Sequence, residues 1–149
     1  PFSVLLNLVG TSNATDKDVL WKFIKKFHKE LDPEKNRILD SLTNYAINYF
    51  VDQVEPKKKF KKPNNNEKKA LLNLIDALKT VPQNMEPEKI QTVIYSSGKE
   101  NGYSNDLRSW FKLIYEVTFG EENGPRMGFF ISFFGVKETI DLMKKKLRI

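Results

Sequence analysis

The 149-residue sequence has no cysteine and a single histidine, His28. Without thiols there is no disulfide, no thiolate metal site and no cysteine nucleophile. One histidine cannot build a zinc site. Within Lys-Phe-His-Lys-Glu it falls on a charged helical face, which suits a solvated imidazole better than a catalyst. Arginine is scarce: Arg37, Arg108, Arg126 and Arg148 stand among 25 basic residues, the rest lysine. Lysine spreads point charge, whereas a guanidinium is a planar fork for phosphates and base edges, so each arginine carries more information. Long apolar runs are missing too, which excludes a spanning helix, and residues 1–10 lack the basic n-region of a signal peptide. Neither Gly-x-x-x-x-Gly-Lys-[Ser/Thr] nor Gly-x-Gly-x-x-Gly occurs, so no nucleotide-phosphate loop is expected. No repeat of fixed period is visible. The only β-flavoured run, Val93-Ile94-Tyr95, has helical flanks.

What is present is a basic, soluble-type composition: 40% hydrophobic, 30% charged, formal net charge +6. The length suits a single domain, residues 1–149, with a real core. The charge favours polyanionic partners without saying anything about fold. A reducing cytoplasm is the expected compartment, and no membrane partner is expected. The chain opens at Pro1, in the middle of an amphipathic pattern, and is expected to be part of a longer protein.

Hydrophobic spacing and punctuation predict helices throughout. Phe2, Leu5, Leu6 and Val9 share a face; Thr15-x-x-Asp18 resembles a capping box before a helix with Leu20, Phe23, Ile24 and Phe27 inward. Asp32-Pro33 predicts the start of a long helix to about Val54. It carries two apolar lines, Ile38/Leu42/Tyr45/Tyr49 and Leu39/Ala46/Phe50. Residues 56–66, basic and flanked by prolines, predict an exposed loop: either a solvated linker or a phosphate contact through Lys57, Lys58, Lys59, Lys61 and Lys62. Further helices are expected over Glu67–Lys79, from Pro87 to Asn101-Gly102, from a Ser104 cap to Gly120 with Leu107, Trp110, Phe111, Ile114 and Val117 inward, from Pro125 to Gly135, and over Lys137–Leu147. The fold class is all-α, a bundle of about seven or eight helices joined by short loops.

No convergent catalytic set appears. The acidic pairs Asp16/Asp18 and Glu121/Glu122 fall at expected helix starts, where capping explains them better than acid–base work. A binding constellation remains. Gly120-Glu-Glu-Asn-Gly-Pro-Arg-Met-Gly-Phe-Phe-Ile-Ser-Phe-Phe-Gly135 brings four glycines and four phenylalanines around one arginine. Gly124-Pro125-Arg126 places that arginine at a helix start, where free amides favour anions. Arg126 either reads a phosphate or base edge, or pairs with Glu121 or Glu122 and fixes a turn. Gly128 permits close approach. Phe129 and Phe130, with Trp110 and Tyr115, are either core or surfaces on which unpaired bases stack. Tyr115 is the best candidate for exposure, since Phe111, Ile114 and Thr118 define the inner stripe.

Residues 120–135 resemble the C-terminal signature of class I lysyl-tRNA synthetases, a Gly-Pro-Arg-[Phe/Met]-Gly-x-Phe core after an acidic turn. Asp106-Leu-Arg-Ser-Trp-Phe-Lys-Leu-Ile-Tyr115 is similar to the helix before it, and Phe2–Val9 with Asn13–Trp21 to the start of that helical region. The resemblance covers nearly the whole chain; residues 57–66 match no pattern. It implies an α-helix-cage anticodon-binding domain that positions tRNA-Lys for ATP-dependent aminoacylation by a catalytic domain of the same chain. The His-Ile-Gly-His-like and Lys-Met-Ser-Lys-like motifs of that domain are absent here, so no cofactor is expected within these residues and no catalytic residue or metal site. The alternatives are the equivalent domain of a glutamyl-type synthetase and a non-enzymatic protein-interaction bundle.

Overall fold

A computed structural model describes residues 5, 6, 8–10 and 17–149. All regular structure among these is helical. The chain divides into two compact units, residues 1–58 and 59–149. Thr15, Asp16 and Phe2 lie outside the described residues, as does the side chain of Phe27.

In the first unit, residues 5, 6 and 8–10 are helical, with Leu5, Leu8 and Val9 buried. α1 (Lys17–Phe27) buries Leu20, Trp21 and Ile24. α2 (Arg37–Tyr49) continues through a wider π-type turn, Phe50–Val54, and a short 3-10 turn, Glu55–Lys57. Asp40 of α2 ties the two helices, accepting from the Trp21 indole at 2.8 Å and Lys17 Nζ at 3.1 Å. Those donors hold its carboxyl below the ordinary aspartate range, Lys17 first. The long helix begins later than Asp32-Pro33 suggested. Asp32 does accept from the amides of Glu34 (2.8 Å) and Lys35 (3.4 Å), but this closes a separate turn that ends before Arg37.

The second unit starts with residues 59–64 and α3 (Asn65–Lys79), capped by a reciprocal Asn64–Glu67 box. α4 (Pro87–Gly98) leads into a π-type turn, Lys99–Tyr103, whose Gly102 takes φ +96, the left-handed stop expected there. α5 (Leu107–Thr118) is capped by Asp106 through the Ser109 amide, not by Ser104, which lies in the turn after Tyr103, three residues before the helix begins. α6 (Met127–Phe134) and α7 (Val136–Leu147) meet at Gly135, φ +116.

The core of this unit centres on α4. It packs most extensively on α6, and also on α3 and α5. Trp110 of α5 is fully buried; its indole lies on Gly98 and donates to the Ile94 carbonyl at 3.0 Å. The α4–α6 crossing is tighter still. A methyl group on Gly128 would strike the Pro87 carbonyl and the Gln91 backbone. Buried Gln91 answers the Gly128 amide with its side-chain oxygen at 2.6 Å. α6 is thus capped by another helix. Arg126, which occupies its N-cap position, contributes no side-chain cap of its own.

Gly128→Ala should therefore cost about 1–3 kcal/mol, the range for overpacking a filled contact. Urea denaturation of the purified chain followed by circular dichroism measures it, and an unchanged midpoint would refute this account of the crossing.

Candidate nucleic-acid interface

Helical spacing on α5 puts Arg108, Lys112 and Tyr115 at i, i+4 and i+7, on one side of the helix. With Phe111 and Ser109 they line an open concavity of ≈ 520 Å³, closed on its far side by Glu122 and Asn123 of the loop after α5. Arg108 and Lys112 are exposed, and Phe111 and Tyr115 half-buried. The groove thus offers two cations and two aromatic rings. One acid, Glu122, stands 3.9 Å from Lys112.

The rings are held in place. Phe111 meets Tyr95 edge-on at 5.1 Å, and Tyr115 lies between Phe111 and Phe119, 6.3 Å from each. The Tyr115 hydroxyl donates to the Pro125 carbonyl at 2.8 Å. Gly124 rests on the Tyr115 ring: a Cβ there would come within 2.6 Å of it. The Gly124-Pro125 turn is therefore moulded to the tyrosine, and it delivers Arg126 beside the Tyr115 end of the groove. Burial raises the Tyr115 phenol, with Tyr95 adding to the shift and Arg126 opposing it.

Arg126 donates to Glu88 of α4 at 3.0 Å, with both side chains at least half exposed. The carboxylate pushes the guanidinium further up from its ordinary value. An exposed pair of this kind is weak and opens readily to a competing anion.

Residues 59–61 form a strap. The amides of Lys59 and Lys61 donate to the carbonyls of Gly120 (3.2 Å) and Glu116 (3.1 Å), supplying partners at the C-terminal end of α5. Lys61 pairs with Glu67 at 2.8 Å. Lys146 stands 3.8 Å over the Phe60 ring. Lys59 and Lys62 are exposed.

Compared with curated proteins, the chain is 41% identical over 147 residues to the lysine–tRNA ligase of Roseobacter denitrificans, a match covering 99% of this chain and 28% of that protein. It is 40% and 39% identical over 146 residues to the lysine–tRNA ligases of Rickettsia bellii and Rickettsia prowazekii, again across 98% of this chain and 28% of theirs. Along nearly its whole length the chain is similar to one part of these lysine–tRNA ligases. It spans little more than a quarter of the length of the curated relatives it matches. No protein-family model and no solved structure matches it.

The expected site residues separate into groups. Arg108 and Tyr115 share the groove. Gly124, Pro125 and Arg126 form its adjoining turn, although Pro125 precedes α6 instead of starting it. Arg126 pairs with neither Glu121 nor Glu122; its acid is Glu88, 38 residues away in sequence. Phe129 is 47% exposed, but Phe130 and Trp110 are both 0% exposed and cannot stack on a base. Phe130 packs edge-on to Phe119 at 4.9 Å instead. Tyr115 is more covered than expected, and Phe111, assigned to the core, opens into the groove. Lys57 and Lys58 belong to the first unit, where Lys58 lies 5.0 Å from the Phe50 ring. Lys59, Lys61 and Lys62 belong to the second, and at Lys59 and Lys61 the backbone is tied down by hydrogen bonds where a solvated linker was one expectation. Sequence reasoning missed Lys112 and Asn123. The i, i+4 step from Arg108 signalled the first; nothing local signalled the second. No group of three or more His, Cys, Asp or Glu fit for a metal occurs among the described residues, and no helix there is long and apolar enough to cross a membrane.

Tyr115→Phe should cost about 1 kcal/mol, one part-buried hydrogen bond. In amide NMR spectra its shifts should concentrate at Gly124–Met127. Shifts spread evenly over the helices would contradict the role given to the hydroxyl.

Proposed function

We propose that this chain is the tRNA-binding domain of a class I lysine–tRNA ligase and that it engages the anticodon stem-loop of tRNA-Lys. The observation that carries the reading is the α5 groove, where two exposed cations flank two half-buried aromatic rings, in a chain alike to lysine–tRNA ligases along nearly its whole length. Single-stranded RNA is read by that combination: cations neutralise phosphates while rings and fixed polar groups receive splayed bases.

Each residue then has a part. Arg108 and Lys112 take backbone phosphate, with Lys59 and Lys62 extending the positive field. Phe111 and Tyr115 offer faces or edges to a base, and Asn123 offers both a donor and an acceptor for its edge. Arg126 leaves Glu88 for an RNA oxygen. ATP-dependent formation of lysyl-tRNA belongs to a catalytic domain outside these residues, working in the cytoplasm, and this chain holds the tRNA for it.

The chain should bind a tRNA-Lys anticodon stem-loop more tightly than a scrambled-loop hairpin in fluorescence anisotropy across a salt series. Arg108→Ala and Lys112→Ala should each lower the salt slope by about 1, the signature of a lost phosphate contact. Arg126→Ala should reduce loop discrimination with the helical signal intact. Equal binding of both hairpins at every salt concentration would overturn anticodon reading.

A further inference from the structure

Arg126 meets its acid because two stretches of backbone are held in place. Its own carbonyl accepts from the Phe130 amide at 3.0 Å, and the preceding Pro125 carbonyl from the Tyr115 hydroxyl at 2.8 Å. Glu88 stands in the first turn of α4, shortly before Gln91, whose side chain accepts from the Gly128 amide. Across that crossing the guanidinium donates to the Glu88 carboxylate at 3.0 Å, a charge-assisted hydrogen bond. The pair is open to solvent, with 50% and 64% of the two side chains exposed. It lies at the Tyr115 end of the groove, near enough for the arginine's charge to oppose the shift of the phenol. Lys112 is placed differently. Glu122 stands 3.9 Å from its ammonium, beyond hydrogen-bond reach, and on a loop instead of a helix.

An acid so fixed decides what can be exchanged for it. When Arg126 turns to another acceptor, Glu88 remains on α4 within a side chain's length. A phosphate arriving there meets a carboxylate of like charge, and that repulsion offsets what the guanidinium gives. A base carbonyl is neutral and meets no such penalty. We infer that Glu88 is a specificity-determining residue: it withholds Arg126 from RNA phosphate and leaves it to the carbonyl oxygen of an unpaired base. This rests on the reading of the chain as an RNA-binding domain, and it names which RNA oxygen Arg126 takes. A carboxylate in the first turn of a helix is already favoured by the helix dipole; here the same carboxylate also selects the ligand of its neighbour.

Salt slopes test this. Glu88→Gln removes the charge and keeps the shape. Glu100→Gln, in the turn after α4 and about 18 Å along the helical path, controls for net charge, because physiological salt screens an exposed charge beyond about 8 Å. Binding of a scrambled-loop hairpin, which offers phosphates and the wrong loop, is followed by fluorescence anisotropy from low to high salt. With Glu88 present, Arg126→Ala should leave the slope unchanged, where Arg108→Ala lowers it by about 1. Glu88→Gln should tighten scrambled-hairpin binding about two- to fivefold at low salt, the range for releasing an exposed pair, and steepen the slope by about 1 as Arg126 gains a phosphate. Glu100→Gln should do neither, nor should Glu88→Gln combined with Arg126→Ala. The tRNA-Lys anticodon hairpin should gain less, so that discrimination falls. A slope lowered by about 1 in Arg126→Ala would make Arg126 a phosphate contact and overturn the proposal. So would a Glu88→Gln chain with unchanged affinity and slope, which would leave Glu88 a structural residue, or a gain that survives removal of Arg126. Equal binding of both hairpins by the unsubstituted chain, with the slope still steepened by Glu88→Gln, would remove anticodon reading and leave the screening of Arg126 standing.

Discussion

The second unit depends on one buried amide–amide hydrogen bond, from the Gly128 N–H to the Gln91 side chain. It requires that residue 128 have no Cβ, that residue 91 be long enough to reach and polar enough to accept, and that α4 begin at a proline whose carbonyl lies against α6. A helix N-terminus leaves amides without partners, and burying one unanswered would be costly. Gln91 answers it. The start of α6 is thereby fixed to α4, and the Gly124-Pro125-Arg126 turn is fixed with it. The same juxtaposition places Glu88, one turn before Gln91, next to Arg126. The arginine's resting position is therefore a by-product of how two helices cross.

The groove is assembled differently. Its cations and rings all come from α5, so their spacing is set by helix geometry alone. Only its far wall, Glu122 and Asn123, depends on the loop that the Tyr115 hydroxyl and ring hold in shape. Charge placement thus rests on a rigid element, and the polar groups of Glu122 and Asn123 rest on a short turn braced against it.

Much of this was legible in the sequence. Glycine and proline marked most helix ends, since Gly102, Gly120 and Gly135 all need the positive φ they adopt. The inward face of α3, Leu71, Leu74, Ile75 and Leu78, followed from the period of its apolar residues. Two kinds of information were not available. Periodicity finds an apolar line but cannot say which of two lines faces the core. On α2 the line Ile38/Leu42/Tyr45/Tyr49 is the outer one, and a threonine, Thr43, is inside. Nor does local sequence predict a partner distant along the chain. Glu88 for Arg126, Gln91 for Gly128 and the carbonyls of Gly120 and Glu116 for Lys59 and Lys61 all come from tertiary structure. Trp110 and Phe130 failed as base-stacking surfaces for the ordinary reason that large rings fill cores.

The strap at residues 59–61 limits where this chain can change length. Its amides at alternate residues, 59 and 61, engage carbonyls four residues apart on the neighbouring helix end. Alternation of this sort has a phase. Inserting one residue inside the strap exchanges which groups point at the helix and which point away, and would swing Phe60 from its place under Lys146. Inserting two restores the phase at the cost of a bulge. Between residues 62 and 64, where no backbone bond to α5 constrains the chain, insertions carry no such penalty.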